Sequence, residues 1–507
     1  MTVQDCNLFA HFAKQFAARS ADELLLTDAG RSYSYGDIDR ESARLARYLI
    51  GLGIKTGDRV SVQVDKSAAA LSLYLACLRG GFVFHPLNPG YKSGELEYFL
   101  GDASPSIVVC DAAKKDVLQP LADRAGIKHV YTLDDDGQGS LIDASRDSSA
   151  DPIIVDRAED DLAALLYSSG TTGVPKGIML THGNLLSNAR SLVVAWAFTD
   201  QDRLLHALPI FHVHGLFVAI GCVLLSGASM RWFDGFRAPE VIRSLPECTV
   251  MMGVPTYYVR LLNDSDFTAD VATNVRVFIC GSAPLLEETF IEFETRTGHR
   301  ILERYGMTET NMNTSNPLQG ERRPGTVGPA LPGVEIRIVD ESGSELPANV
   351  VGDLQVRGSN VFAGYWQMPD RTGEDFTIDG YFNTGDKGRI DTDGYVSIVG
   401  RAKDVIITGG LNVYPREVEL FIDALDGVEE SAVIGVPHAD FGEAVIAVVV
   451  REAAEAIDAE GVIRSVKKSL ANFKVPKRVI FVNELPRNSM AKVQKNKLRE
   501  TCNDLFT

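Results

Sequence analysis

Short apolar runs alternate with longer amphipathic stretches through the first 170 residues, and this rhythm restricts the fold more than any other feature of the chain. Ile38 to Gly51 has helical periodicity, with Asp37 as N-cap and Gly51 as a stop. DRVSVQV (58–64) alternates as a strand does. Ser67 to Leu78 reads as a helix ended by Gly80-Gly81, and PSIVVCD (105–111) and LAALLYSS (162–169) read as short apolar strands. Strand, helix, strand in repetition implies an α/β fold with largely parallel sheets. From about Gly325 to Gly400, glycine turns recur around strand-like pieces such as VEIRIVD (334–340) and DLQVRG (353–358), which predicts antiparallel β structure. Residues after Arg401 return to mixed α and β patterning.

The bulk numbers exclude several classes. With 507 residues there is material for a large core, and a net charge of −18 argues against a general nucleic-acid binder. The seven cysteines show no CxxC pair and no Cys/His cluster, so reduced thiols in the cytosol are expected and no zinc site is readable. The start, MTVQDCNLFAHFAKQ, lacks the basic and apolar regions of a signal peptide. The most apolar run, Leu216 to Met230, is too short and too glycine-rich to span a bilayer and is expected in the core. One asymmetry stands apart. Between Arg464 and Arg499 there are eleven Lys/Arg and one acid, Glu484, which suggests a polyanionic ligand for that region.

The chemistry begins at YSSGTTGVPKG (167–177). It is not a P-loop, because Val174-Pro175 precede Lys176 where that motif needs glycine. Its glycines still let backbone N–H groups approach oxygens, its hydroxyls add donors and Lys176 adds a point charge. Phosphate is the ligand such a loop suits. Many Ser/Thr/Gly loops are surface connections only, but an apolar strand feeds this one and another apolar piece, Ile178 to Leu180, leaves it.

SSGTTGVPKG resembles the phosphate loop of the adenylate-forming superfamily of acyl-CoA synthetases, peptide-synthetase adenylation domains and luciferases. RYGMTET (304–310), YFNTGD (381–386), GRAKDVIITGG (400–410) and PRNSMAKVQK (486–495) follow in the family's order, so the resemblance covers essentially the whole chain. It implies a large N-terminal domain, residues 1–401, of α/β sheets plus a β-rich part, and a small mobile C-terminal α+β domain, residues 402–507. It also implies a two-step reaction using ATP, Mg²⁺ and coenzyme A. A carboxylate attacks the α-phosphate, and the thiol of CoA then displaces AMP.

By the same resemblance, Ser168, Ser169, Gly170, Thr171, Thr172 and Lys176 hold the β- and γ-phosphates. Tyr305, with Gly306, stacks on adenine, and Gly281, Ser282, Ala283 and Pro284 line it. Thr308 donates to a phosphate, and Glu309 with Thr172 holds the metal, a set that suits magnesium completed by substrate phosphates. Asp386 accepts both ribose hydroxyls and Arg401 is the second ribose contact. Lys403 takes the hinge position, Gly409 and Gly410 approach the CoA side, and Lys492 is the catalytic lysine. Ala491 departs from the family, which usually has glycine before that lysine. The basic tail then has CoA phosphates as its expected partner. No nucleic-acid or membrane partner is expected.

HALPIFHVHGLF (206–217) resembles the segment lining the acyl pocket, with His214 near the carboxylate and Met307 as a size-limiting wall. HVHGLF and ERYGMTETNMNTSNP are similar to malonyl-CoA synthetases, which implies malonate. Oxalate, methylmalonate, a short fatty acid or a carrier-protein thiol are the alternatives. A dicarboxylate keeps one charge inside the pocket, and a buried unpaired charge is costly, so a cation should line it. Arg260, in GVPTYYVRL (253–261), is the candidate, with Arg304 and His206 as alternatives.

Overall fold

The computed structural model describes residues 6–27, 29–167, 175–408, 411–438, 441–452, 457–470, 472–488 and 492–506. The chain packs as two compact units. The first comprises the described residues up to Glu335 together with Val356–Phe382, and the second Ile336–Gln355 and the described residues from Asn383 onward.

Two sheets organise the first unit. In one, the order is Gly364–Tyr365, Gly177–Thr181, Leu162–Tyr167, Val83–Pro86, Arg59–Gln63, Ile107–Cys110 and His129–Thr132. The last five are parallel, and Gly177–Thr181 and Gly364–Tyr365 continue the sheet antiparallel. The other sheet runs Asn311–Ser315, Leu302–Met307, Val277–Cys280, Val250–Gly253, Arg203–His206, Ser229–Trp232, Glu23–Thr27 and Ser32–Ser34. It is parallel apart from its two edge strands. Parallel strands need crossovers, and the helices that make them cover the faces, which is why strands such as Val277–Cys280 and Ile107–Cys110 are apolar and buried throughout.

Local signals set the helix ends. Tyr35–Gly51 starts earlier than the periodicity implies. Its N-cap is Ser34, whose hydroxyl accepts from Asp37 N, while the Asp37 side chain accepts from Ser34 N in a capping box. Asp37 is therefore the third helical residue and not the cap. Ser67 caps Ala68–Gly80, and Gly81 at φ +73° closes it. The apolar stretch after His214 is core, as expected: a π-helical turn His214–Ala219, then Ile220–Ser226, mostly buried. Among the described residues no helix is long and apolar enough to cross a membrane, and the seven cysteines are free.

Where antiparallel structure is predicted for 325–400 there is a four-stranded sheet, Val334–Val339, Gly352–Gly358, Phe382–Ile390 and Val396–Arg401, whose last two strands pair antiparallel. A five-stranded sheet is built around the antiparallel pair Val428–His438 and Gly442–Arg451. Period-2 alternation gives this pair two apolar faces. Val433, Val445, Ala447 and Val449 face a core shared with helices Pro415–Asp423 and Ala459–Ser469. Ala432, Ile434, Ile446 and Val448 face Leu498 and Cys502 of helix Lys495–Cys502.

Candidate active site

The parallel strands of the eight-stranded sheet end in a row. Register places His206 beside Met252, Gly253 beside Cys280, and Cys280 beside Glu303. Ligands of open α/β sheets bind outside such carboxyl ends. Gly281, Ser282, Ala283 and Pro284 form the turn that leaves this row, and a Cβ at Gly281 would lie 2.5 Å from the guanidinium carbon of Arg304. Glycine is thus what lets Arg304 lie against the turn. Ser282 holds φ +75°, and its hydroxyl is 3.3 Å from His214 Nδ1. His214 is buried, and desolvation, followed by Arg304, His212 and His206, pulls its pKa well below the ordinary value.

Arg304 is the unusual member. It is 2% exposed, and its Nε and Nη2 have no hydrogen-bond partner among the described residues. Burial lowers its pKa to about 10, which leaves it charged at neutral pH. A guanidinium offers five N–H donors in a fixed fork, and leaving donors buried and unmade is costly. Arg260 sits differently: it is exposed in the last turn of helix Pro255–Leu262. The desolvation argument that singled it out therefore applies to Arg304. His206, the other alternative, is engaged by Lys66 and Gly215.

Continuing along Leu302–Met307, Tyr305, Gly306 and Met307 are half-buried and precede Thr308 and the buried Glu309. Glu309 O accepts from Phe362 N. Burial, then Glu309 and Asp375, raises the pKa of the nearby Tyr365 phenol. Lys176 Nζ lies 4.2 Å from the Tyr365 ring centroid and 3.7 Å from Asp375 Oδ2. Three segments distant in sequence thus converge: Lys176, Glu309 and the pair Tyr365 and Asp375. No motif pointed to the last pair, and their part in the cluster exists only through packing. The remaining phosphate-loop residues, Ser168, Ser169, Gly170, Thr171 and Thr172, lie outside the described residues, as do Gly409, Gly410 and Ala491. No group of three or more His, Cys, Asp or Glu that could hold a metal occurs among the described residues. Glu309 as a single carboxylate fits a magnesium ion whose other ligands are phosphate oxygens and water.

In the second unit, Asp386 and Arg401 are cross-strand partners, with Arg401 Nε 2.9 Å from Asp386 Oδ1. Arg401 also donates to Thr384 O at 3.1 Å. Lys403 is exposed in the 3-10 turn Ala402–Asp404. Lys492 is exposed in a local hairpin: Asn488 N donates to Lys492 O at 2.9 Å, Lys492 N donates to Asn488 Oδ1 at 3.0 Å, and Arg487 pairs with Val493. Its basic neighbours are committed elsewhere. Arg487 pairs with Glu430, Lys495 with Glu419 at 2.5 Å, Arg499 with Asp404 at 2.8 Å and Lys474 with Glu417 at 2.5 Å. Four of the eleven basic residues of the run are therefore answered by acids of their own unit.

A fold with ligand-type groups beyond parallel strand ends, followed by a small α+β unit with a lysine hairpin, defines an adenylate-forming enzyme. The chain belongs to the AMP-binding enzyme family: that family's profile matches residues 12–366, and the AMP-binding enzyme C-terminal domain matches residues 417–492. The chain is 51% identical to MatB from Rhodopseudomonas palustris, whose ATP-bound crystal structure it matches with a TM-score of 0.96 over 100% of both chains. A malonate–CoA ligase of Arabidopsis thaliana is 33% identical over 96% of this chain and 87% of its own length. A sulfoacetate–CoA ligase of Cupriavidus necator is 35% identical over 94% of each.

Proposed function

We propose that this chain is an AMP-forming acid–thiol ligase that joins malonate to coenzyme A. The observation that carries the reading is Arg304, a charged and buried guanidinium beside the turn Gly281–Pro284, two of whose nitrogens lack a hydrogen-bond partner among the described residues. A second carboxylate on the substrate supplies the missing acceptors, in the bidentate geometry arginine favours. Malonate and sulfoacetate, after which two of the similar enzymes are named, both carry a second anionic group.

In the first step a malonate oxygen attacks the α-phosphorus of ATP. The bond to the β-phosphate breaks and pyrophosphate leaves. Ser168, Ser169, Gly170, Thr171, Thr172 and Lys176 hold the departing phosphates, and Thr308 donates to one. Lys176 is oriented by Tyr365 and Asp375. Glu309 and Thr172 would hold Mg²⁺, which would supply charge neutralisation for the phosphates. Gly281–Pro284, Tyr305 and Gly306 receive adenine. Asp386, already bonded to Arg401, keeps acceptor capacity for the ribose hydroxyls. His214 and Met307 bound the acid, and Lys492 offsets charge at the carboxylate and α-phosphate, a contact worth about 10²-fold or more. In the second step the CoA sulfur attacks the acyl carbon and AMP leaves. Lys403 serves as the hinge between residues 1–401 and 402–507, and Gly409 and Gly410 take the CoA side. The free cysteines suit a reducing compartment such as the cytosol.

The test is CoA-dependent AMP formation from ATP and Mg²⁺ across malonate, methylmalonate, oxalate, acetate, butyrate and coumarate. Malonate is expected to lead by a wide margin. Preference for a monocarboxylate would overturn the Arg304 reading, and adenylation without CoA turnover would point to a protein-bound thiol.

A further inference from the structure

Lys66 follows the strand Arg59–Gln63, at the carboxyl end of the seven-stranded sheet, and is 8% exposed. Its Nζ is 2.7 Å from His206 Nδ1 and donates to His206 O at 2.8 Å. It also stands 4.2 Å over the Trp232 ring, on which the His206 ring packs with centroids 4.9 Å apart. An ammonium has protons to give and no lone pair to offer, so His206 Nδ1 is the acceptor. The ring proton of His206 is then on Nε2, which donates to Gly215 O at 2.9 Å. Burial, reinforced by Lys66, pulls the His206 pKa well below its ordinary value.

Gly215 is where this chain meets the site. A Cβ there would lie 2.1 Å from Pro209 O, so the backbone passes through a gap that admits only hydrogen. Gly215 directly follows His214 in the π-helical turn His214–Ala219, and His214 Nδ1 reaches Ser282 Oγ at 3.3 Å. The contacts run without a break from the end of one sheet to the turn at the end of the other. Other titratable groups acting around His206 are His214 and, through it, His212 and Arg304. Trp232 contributes a neutral ring.

We propose that Lys66 is a positioning residue for the acid-binding side of the site: it locks the Nε2–H tautomer of His206, which pins Gly215 and so aims His214. This rests on the reading of His214 as an acid-side residue. The first measurement is the tautomer of His206 in the ¹⁵N-histidine-labelled wild-type protein by long-range ¹H–¹⁵N correlation. Nε2–H is expected, and Nδ1–H would overturn the proposal without any variant. In Lys66→Met the KM for the preferred acid is expected to rise about tenfold, with the KM for ATP unchanged. Losing the neighbouring ammonium removes the smaller of the two causes that lower the His206 pKa and leaves burial in place, so the acid limb of the variant's pH profile is expected to shift upward from that of wild type. Lys66→Arg, which keeps the donor and the charge, is expected to restore most of both. A folded Lys66→Met with wild-type acid KM and pH profile would overturn the proposal. An unchanged acid KM in His214→Ala would instead remove the reading on which it rests, whereas the wild-type tautomer tests the Lys66 link alone and is indifferent to which acid is the substrate.

Discussion

The turn Gly281–Pro284 and the hairpin carrying Lys492 present polar groups in opposite ways. Around the turn, Arg304 and His214 are held by burial among residues far apart in sequence, and Ser282 sits in a left-handed conformation. The hairpin instead is closed by its own near neighbours, Asn488 and Lys492, and its flanks are tied down by ion pairs to Glu430 and Glu419. The first arrangement keeps polar groups unsatisfied in a dry place, where they gain most from a ligand. The second places one cation by local bonds that cost little to make or lose. Loss of activity should therefore come with a gain in stability at the first site and with almost no change in stability at the second.

The largest expected effect is at Arg304. Arg304→Met should cut kcat/KM for malonate by about 10³-fold, the cost of leaving a buried carboxylate unpaired. In the absence of substrate the same variant should unfold at a higher temperature, because two unmade donors have been removed from the interior. A variant that loses stability along with activity would show Arg304 to be a structural residue and erase the contrast. Arg260→Ala, exposed as it is, should cost less than Arg304→Met.

Lys492→Ala should slow adenylation by about 10²-fold or more while sparing CoA attack on supplied acyl-adenylate, with little change in unfolding temperature. Equal loss in both half-reactions would refute its assignment to the first. Asn488→Ala removes one hydrogen bond from the hairpin, about 1 kcal/mol, and should slow adenylation roughly fivefold. If it matches Lys492→Ala instead, the hairpin is less locally held than its bonds imply.

A separate effect concerns pH. The Asp423 side chain in helix Pro415–Asp423 is 7% exposed, accepts from Ser431 Oγ at 2.6 Å and lies 3.7 Å from Arg416, and Glu419 lies on the same helix. Desolvation raises its pKa from 3.8 to about 7. The folded state thus binds this proton more tightly than the unfolded chain, so its contribution is full below about pH 4 and is lost as pH rises through about 7. Asp423→Asn should flatten the stability profile of the second unit between those limits. Equal pH dependence in the two proteins, followed by denaturant unfolding, would reject the assignment.

Legibility follows the range of the interactions. The apolar strands Ile107–Cys110 and Leu162–Tyr167 are evident because burial on both faces imposes its pattern on four to six consecutive residues. The helix that begins after Ser34 is placed too late by its pattern, since Asp37 is equally good as a cap or as the third residue of a capping box. Asp386 and Arg401, identified through their motifs, prove to be direct cross-strand partners.

By itself the sequence determined the α/β class and the order of the motifs, and the resemblance those motifs carry implied which groups serve phosphate, ribose and carboxylate. Those depend on periodicity and on side-chain chemistry, both carried by neighbouring residues. Only the tertiary structure decided which arginine is buried, that Tyr365 and Asp375 reach Lys176, and that Lys66 meets His206 across two sheets. Burial and electrostatic strength depend on what surrounds a group in space, and for Arg304 those surroundings come from segments as distant as His214 and Gly281.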